Sequence, residues 1–224
     1  MGSAPRLGQP DMSTAFVIAI DGPAASGKGT LARRLAARFG LAYLDSGALY
    51  RAVGRDVIAR DQDPADAEAA SRAAHSLDPA TLADPRLRDE DIGRAASLVA
   101  AHPGVRAALL DFQRSFAKRP PGAVLDGRDI GTVVCPRADL KLFLTADVAA
   151  RADRRYAELM AKDEAVDFNA VLTEMRARDA RDSTRTTAPL KPARDAVHLD
   201  TTQMDVDQVF AAAVALVEER RGRR

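Results

Sequence analysis

Nine residues near the beginning of the chain constrain its fold more than any other stretch. Residues 22–30, GPAASGKGT, follow an apolar run at 16–20 that predicts a buried strand, and they precede apolar residues at helical spacing. Glycines in such a loop let successive backbone N–H groups point at an anion, and the helix that follows adds its positive N-terminus. Lys28 then extends to the β- and γ-phosphates of a nucleotide. The predicted nucleotide-binding residues are Gly22, Pro23, Ala24, Ala25, Ser26, Gly27, Lys28, Gly29 and Thr30.

Composition and charge restrict the classes of protein to consider. The 224 residues suffice for one well-buried core, and 46% hydrophobic with 29% charged residues is ordinary for a soluble globular protein. A net charge of +1 does not favour nucleic acid or an anionic membrane as a partner, so an anion must be held by local cations. No apolar stretch approaches the length of a bilayer span. We expect a cytoplasmic monomer that binds neither nucleic acid nor membrane.

The single cysteine, Cys135, excludes an internal disulfide and any metal site built from several cysteines. Its position in the apolar run 132–135 predicts a buried, inert thiol rather than a nucleophile. The three histidines are widely separated, and no two of them form a ligand pair at helical spacing.

Short apolar runs alternate with helical patterns through the rest of the chain. Further strands are predicted at 42–44, 123–125, 140–144 and 196–199. The stretch 48–117 is predicted to be almost wholly helical, interrupted by prolines. Buried strands separated by helices predict a three-layer α/β fold with a central parallel sheet covered on both faces. Ligands of such sheets bind beyond the carboxyl ends of the strands, where residues 45–47 and 126–129 lie.

One predicted helix carries an apolar stripe that turns into a charged one. It begins near Phe168, behind Asp167 as N-cap, and its stripe at residues 168–175 continues at helical steps to Arg178, Asp182 and Arg185. A face that begins as core and ends in paired charges predicts a polar cleft. The alternative is a solvated helix end with local ion pairs.

The phosphate loop departs from the usual pattern in one place. Gly29 stands where a serine or threonine normally follows the lysine to hold Mg²⁺, and Thr30 comes one residue later. This Lys-Gly-Thr ending resembles the nucleoside monophosphate kinases, and it favours Mg²⁺ binding by Thr30 through water over direct coordination. A glycine-rich turn beside an exposed lysine is the alternative for the loop as a whole.

Four segments extend the resemblance to a single family, the bacterial cytidylate kinases. They are LDSGALYR at 44–51, AASLVAAHPGVR at 95–106, LDGRDIGTVV at 125–134 and RDARDSTRTTAPL at 178–190. The similarity runs from about residue 16 to residue 217. It implies a P-loop kinase with a core, a helical nucleotide-binding insert and a short lid. Such an enzyme transfers the γ-phosphate of ATP to CMP or dCMP with Mg²⁺.

The resemblance also divides the chain. The expected parts are a disordered leader or expression remnant at 1–12, core at 13–47, the acceptor-binding insert at 48–116, core at 117–150, a lid with an arginine-rich helix at 151–186, and the last strand and helix at 187–224. Residues 77–91 are too short and proline-rich for the extra strands that many family members carry in the insert.

The resemblance implies roles for charged residues around the transferred phosphate. Catalytic groups would be Lys28, Arg128 and Arg185, with Asp126 holding Mg²⁺ or its waters. Arg154 and Arg155 are candidate lid arginines for the ATP phosphates. The alternatives are a turn-capping role for Asp126 and an ordinary solvated helix face for the two lid arginines.

The acceptor nucleotide would be bound by residues after the second strand and on the stripe helix. Ser46 and Arg51 can donate to its α-phosphate, while Tyr50 either walls the site or belongs to the core. By resemblance, Arg178 and Arg185 grip phosphate or sugar, and Asp182 accepts hydrogen bonds from ribose hydroxyls.

Cytosine would be recognised by three residues. By resemblance Asp129 accepts from the N4 amine, as carboxylates do when they read cytosine, and Arg106 and Ser97 donate to the other edge atoms. Separate structural roles are open for each: a loop cap for Asp129, helix packing for Ser97 and solvation for Arg106. Two other functions also stay open, a P-loop kinase acting on UMP, AMP or a non-nucleotide acceptor, and a nucleotide-binding regulator without turnover.

Overall fold

Five parallel strands form the centre of the computed structural model, which describes residues 15–161 and 166–223. The strands are β1 (Phe16–Asp21), β2 (Ala42–Asp45), β3 (Gly122–Gly127), β4 (Leu140–Thr145) and β5 (Val197–Asp200). They lie in the order β2-β3-β1-β4-β5, and every neighbouring pair is parallel. All carboxyl ends therefore meet at one edge of the sheet, and the predicted parallel α/β sheet is confirmed.

Eight α-helices connect the strands and cover the sheet within these described residues. They are α1 (Lys28–Phe39), α2 (Ser46–Ile58), α3 (Ala67–His75), α4 (Glu90–Val99), α5 (Pro103–Ala117), α6 (Val148–Met160), α7 (Phe168–Thr184) and α8 (Val206–Gly222). As predicted, α1 ends at Gly40, whose positive φ of 65° closes the helix, and the Asp167 carboxylate accepts from the Ala170 N–H as the N-cap of α7.

Apolar side chains on both faces of the sheet fix its position between two helical layers. Ile18 and Leu35 pack with Val217 of α8 on one face. Leu125 packs with Leu49 and with helix α5 on the other. Strands β1, β3 and β4 are covered on both faces and are largely apolar runs, whereas the edge strand β5 alternates between half-buried and exposed residues. No helix of the described chain is long and apolar enough to cross a membrane.

The insert between β2 and β3 is helical throughout. The stretch predicted to lack strands forms two short 3₁₀-helices, Pro79–Ala83 and Pro85–Arg88. Each begins with a proline, and the preceding Asp78 or Asp84 caps it by accepting from a backbone N–H. The expectation that residues 77–91 carry no strand is confirmed.

Helices α6 and α7 form the arm predicted to be the lid, and the base of this arm is attached to the phosphate loop. Arg151 is buried, donates to the backbone oxygen of Ala24, and pairs with Asp179 of α7 at 2.6 Å. The predicted leader at 1–12 and residues 162–165 of the predicted lid lie outside the described residues.

A short π-helix, Ile130–Val134, follows β3 and precedes Cys135. Cys135 is half-buried rather than buried as predicted, because it lies at the exit of this turn. Burial nevertheless raises the pKa of its thiol to about 11, so the thiol is protonated at neutral pH.

Candidate active site

Residues 22–27 form the loop that joins β1 to α1, and residues 28–30 are the first turn of α1, as the sequence predicts for a phosphate loop that opens a helix. Gly22 has a φ of 151°, and a Cβ atom there would lie 2.2 Å from the backbone oxygen of Leu144. Gly27 has a φ of 88° and precedes the N-terminus of α1, which has no side-chain cap. Both positions therefore require glycine, and the uncapped helix start offers N–H groups and a positive dipole to phosphate.

Lys28 begins α1 and points into this loop. Its side chain is buried, and its Nζ donates to the backbone oxygen of Pro23 at 2.5 Å and to Ser26 Oγ at 3.4 Å. Burial, followed by the like charge of Arg128, holds the pKa of Lys28 well below its ordinary value. A bound polyphosphate would place negative charge beside this buried ammonium and stabilise its charged form.

Asp126 lies at the carboxyl end of β3 beside Lys28. Its Oδ1 accepts from the Tyr43 hydroxyl at 2.9 Å, and its backbone oxygen accepts from the buried Ser46 hydroxyl at 2.7 Å. Burial, followed by the charge of Asp45, raises the pKa of the Asp126 carboxyl from 3.8 to about 6. The hydrogen bond from Tyr43 replaces the turn-capping bond that was the alternative for Asp126. The Ser46 proton is also engaged, so Ser46 would have to rotate to donate to a phosphate.

Three arginines and one aspartate from the loop after β3, from α7 and from the residue that follows α7 form a cationic cluster. Arg128 Nε donates to Asp182 Oδ2 at 2.7 Å, and Arg185 Nη1 lies 4.0 Å from Asp182 Oδ1. Arg178 Nε is buried without a hydrogen-bond partner, and burial followed by the charge of Arg128 lowers the pKa of Arg178 to about 10. A buried guanidinium nitrogen that lacks an acceptor, in a side chain that faces a like charge, favours an anion at this site.

A second buried pair lies on the insert side of this cluster. The Arg106 guanidinium donates to the Asp129 carboxylate and stacks 5.4 Å from the centre of the Tyr50 ring. Ser97 Oγ accepts from Arg181 Nε at 3.1 Å. Arg106 is buried rather than solvated, and Asp129 makes no side-chain cap to the turn that follows. The loop cap considered for Asp129 and the solvation considered for Arg106 are therefore both absent, and the two residues form a carboxylate–guanidinium pair.

A cavity of about 620 Å³ lies beyond the carboxyl ends of the strands and brings these groups together. Most of the predicted site residues line it: Ala24, Ala25, Ser26, Gly27, Lys28, Gly29, Thr30, Ser46, Tyr50, Arg51, Ser97, Arg106, Asp126, Arg128, Asp129, Arg155, Arg178, Asp182 and Arg185. Tyr50 both lines the cavity and packs in the core, so its two interpretations hold together.

Three predicted residues do not line the cavity: Gly22, Pro23 and Arg154. The two loop residues form the base of the phosphate loop, where Pro23 offers its oxygen to Lys28. Arg154 points away from the cavity in this structure, and its contact with the ATP phosphates stays a prediction. Its guanidinium donates to both the hydroxyl and the backbone oxygen of Thr201, on the side of α6 that faces β5.

Sequence reasoning missed two residues that lie behind the cavity wall and contact its lining or the turn beside it. Asp21, buried at the end of β1, accepts from the N–H groups of Ile130 and Gly131. Arg181 contacts Ser97 and pairs with Glu174 at 2.8 Å. A position at the end of a strand is the signal that could have indicated Asp21, whereas no pattern in the sequence separates Arg181 from the other arginines of α7.

The carboxylates at the strand ends are the acidic groups closest to the phosphate loop. Among the described residues, no group of three or more His, Cys, Asp or Glu side chains could hold a metal ion. Asp126 and Asp45 lie near each other at the strand ends, which is the few-carboxylate arrangement typical of a Mg²⁺ that is shared with substrate phosphates.

Comparison with known proteins agrees with this geometry. A family model described as cytidylate kinase matches residues 18–219. The cytidylate kinase of Methylocella silvestris is 60% identical over 203 residues, which covers 91% of this chain and 94% of the relative. That of Xanthobacter autotrophicus is 60% identical over 209 residues, covering 93% of this chain and the whole relative.

A solved structure supports the fold independently. An uncharacterized protein from Eubacterium ventriosum superimposes with a TM-score of 0.52 at 18% identity, covering 91% of this chain and 98% of that one. The fold, the match of the family model and the identity to these relatives lead to one conclusion: the chain belongs to the cytidylate kinase family.

Proposed function

We propose that the protein transfers the γ-phosphate of ATP to CMP or dCMP, giving the nucleoside diphosphate and ADP. The observation that carries this proposal is the buried, unpartnered Nε of Arg178, which shares one cavity with the uncapped helix start of the phosphate loop. A single cavity with two separate cationic sites suits two phosphorylated substrates, one donating and one accepting.

The phosphate loop would bind the donor. Backbone N–H groups of the loop and the N-terminus of α1 would hold the ATP phosphates, and Lys28 would exchange the Pro23 oxygen for phosphate oxygens. Arg155 lines the cavity from α6 and would contact the same phosphates. Burial strengthens the charge-assisted bonds of Lys28 because little water competes for them, whereas the contact of the partly exposed Arg155 would be weaker.

The arginine cluster would bind the acceptor phosphate. Arg178 supplies an unpartnered donor, and Arg51 and Arg128 each hold an aspartate that a phosphate can replace as hydrogen-bond partner. Asp182 would then accept from ribose hydroxyls. This exchange of partners explains why so many cations can share one cavity without a ligand: the aspartates neutralise them until the nucleotide enters.

Transfer requires positioning and charge stabilisation rather than covalent help. The acceptor phosphate oxygen is already anionic at neutral pH, so we assign no general base. Lys28, Arg128 and Arg185 would stabilise the negative charge that spreads over the equatorial oxygens as the γ-phosphoryl group passes in line between the two nucleotides. Closing of the α6–α7 arm would exclude water, which would otherwise accept the phosphoryl group.

Mg²⁺ fits the residues present. The Asp126 carboxylate would hold it or its waters, with Thr30 contributing through water, because a buried carboxylate whose pKa is raised to about 6 by burial and by Asp45 gains from a nearby cation. When bound, Mg²⁺ supplies charge neutralisation at the β- and γ-phosphates. Asp126 itself would orient the cation relative to Lys28.

The base would be read by Asp129, Arg106 and Ser97, which line the same end of the cavity. Cytosine offers a donor at N4 and acceptors at N3 and O2, matching one carboxylate and two donors. Uracil would set O4 against the carboxylate and N3–H against the guanidinium. A dry site leaves buried groups unpaired with the wrong base, so we expect CMP to be preferred over UMP.

The experiment that tests this function is steady-state phosphorylation of CMP, dCMP, UMP and AMP with ATP and Mg²⁺. We expect the highest kcat/KM with CMP or dCMP. A higher kcat/KM with UMP or AMP would replace the proposal by another nucleoside monophosphate kinase activity, and ATP binding without transfer to any acceptor would replace it by a regulatory role.

We also propose that the enzyme works as a monomer in the cytoplasm on small nucleotides rather than on nucleic acid. The complete cavity within one chain supports this, because no second copy is needed to supply the residues that line it. Sedimentation equilibrium at micromolar concentration tests the oligomeric state.

A further inference from the structure

Asp21 occupies an unusual place for a carboxylate. It ends the central strand β1, directly before the phosphate loop, and only 4% of its surface is exposed. Its two oxygens accept from consecutive backbone N–H groups across the sheet, Ile130 at 2.8 Å and Gly131 at 2.7 Å. A Cβ atom on Gly131 would lie 3.3 Å from Asp21 Oδ2, so the backbone approaches the carboxylate closely.

Those two N–H groups are the first ones of the short π-helix that follows β3. The opening N–H groups of a helical turn have no partner inside the turn, and the side chain of the residue before the turn normally accepts from the second or third of them. Here that residue is Asp129, an aspartate well suited to the task, yet it makes no cap hydrogen bond. Its carboxylate instead pairs with Arg106 in the cavity.

We propose that Asp21 is a positioning residue for base selection: it caps the turn in place of Asp129 and thereby leaves the Asp129 carboxylate free to face the base. The inference deepens the proposed function and rests on it for the role of Asp129. Without Asp21, the Asp129 carboxylate, which belongs to the residue before the turn, could accept from the Gly131 N–H group and would then turn away from Arg106.

The test compares the CMP/UMP ratio of kcat/KM in four proteins: wild type, Asp21→Ala, Asp129→Ala and the double variant. We expect Asp21→Ala to lower the ratio about tenfold, comparable to Asp129→Ala, since either change removes the carboxylate from the base. In the Asp129→Ala background, Asp21→Ala should change the ratio by less than about twofold, because residues that act through each other are not additive.

Asp139→Ala is the matched control. Asp139 accepts from the Val17 N–H at 2.7 Å near the opposite end of β1, outside the cavity. Its loss should lower the melting temperature and leave the CMP/UMP ratio unchanged. If Asp21→Ala behaves in the same way, or if its effect on the ratio adds in full to that of Asp129→Ala, Asp21 is structural and the inference is overturned.

Two further measurements test the inference if Asp21→Ala does not fold or does not phosphorylate CMP. Asp21→Asn retains one acceptor, so it should fold where Asp21→Ala does not, and it should lower the ratio by a smaller factor. The amide proton resonances of Ile130 and Gly131 report the cap whether or not an acceptor nucleotide is present. The Gly131 resonance should stay downfield in Asp21→Ala and move upfield only in the double variant, whereas the Ile130 resonance should move upfield in both. An equal upfield shift of Gly131 in both variants would overturn the inference even in a protein that does not use CMP.

Discussion

The two ends of the cavity are built in opposite ways. The donor end is one continuous loop of nine residues, 22–30, whose backbone geometry is set by Gly22 and Gly27 and whose only buried cation is Lys28. The acceptor end collects side chains from α2, α4, α5, α7 and the segment after β3, and most of them are paired with each other. A preformed backbone site needs little reorganisation to bind, whereas the acceptor end must exchange internal ion pairs for nucleotide contacts.

This difference predicts the largest effect at the donor end. Lys28→Met should lower kcat about a hundred- to a thousandfold, since one charge-assisted contact made in the transition state is worth about 3–4 kcal/mol. The fold should persist, because the methionine removes a buried charge whose pKa is already depressed. Single-turnover kinetics measure the effect, and a folded variant with more than about a third of wild-type kcat would remove Lys28 from the mechanism.

At Asp126, the contrast between the two ends of the cavity can be tested by measuring the free energy of unfolding. Burial raises the pKa of Asp126 from 3.8 to about 6. The free energy of unfolding of the ligand-free protein therefore falls as pH rises through that interval, and it stays lower at higher pH. Asp126→Asn should therefore stabilise the ligand-free protein at pH 7 by up to about 3 kcal/mol while lowering kcat. Thermal unfolding at pH 7, 5 and 4 should show this gain shrinking and then disappearing. A gain that is constant with pH would mean that ionisation of Asp126 is not its cause.

Asp182 tests whether the acceptor end is separate from the donor end. Asp182→Ala should raise KM for CMP about ten- to a hundredfold, because hydrogen bonds to a charged group contribute about 1.5–3 kcal/mol. The KM for ATP should change little. The variant also leaves Arg128 without its 2.7 Å partner, so its ligand-free melting temperature should fall and a saturating CMP concentration should recover part of the loss. A rise in KM for ATP alone would mean that α7 faces the donor.

The donor end was predictable from sequence because its determinants are local. Residues 22–30, the helix after them and its stop at Gly40 form one uninterrupted pattern, and the stripe of α7 likewise led to Asp182 and Arg185 at helical steps. The cap supplied by Asp21 was not predictable, since it joins residues 109 and 110 positions apart. The side that α6 turns to the cavity was not predictable either, because packing against β5 and the loop after β1 decides it.

The neighbouring residues Arg154 and Arg155 test which side of α6 faces the cavity. The expected effect is the smallest of those predicted here. Successive residues on a helix point about 100° apart, so only one of the two can face the cavity. Arg155 lines it, while Arg154 donates to Thr201. Arg155→Ala should raise KM for ATP by up to about tenfold, the value of one half-exposed charged contact, with little change in melting temperature. Arg154→Ala is the matched control: it should lower the melting temperature and leave KM for ATP within about twofold, since a packing contact and not a phosphate contact is lost. If Arg154→Ala instead raises KM for ATP more than Arg155→Ala does, α6 must rotate when ATP binds, and the donor end is then not the preformed half of the cavity.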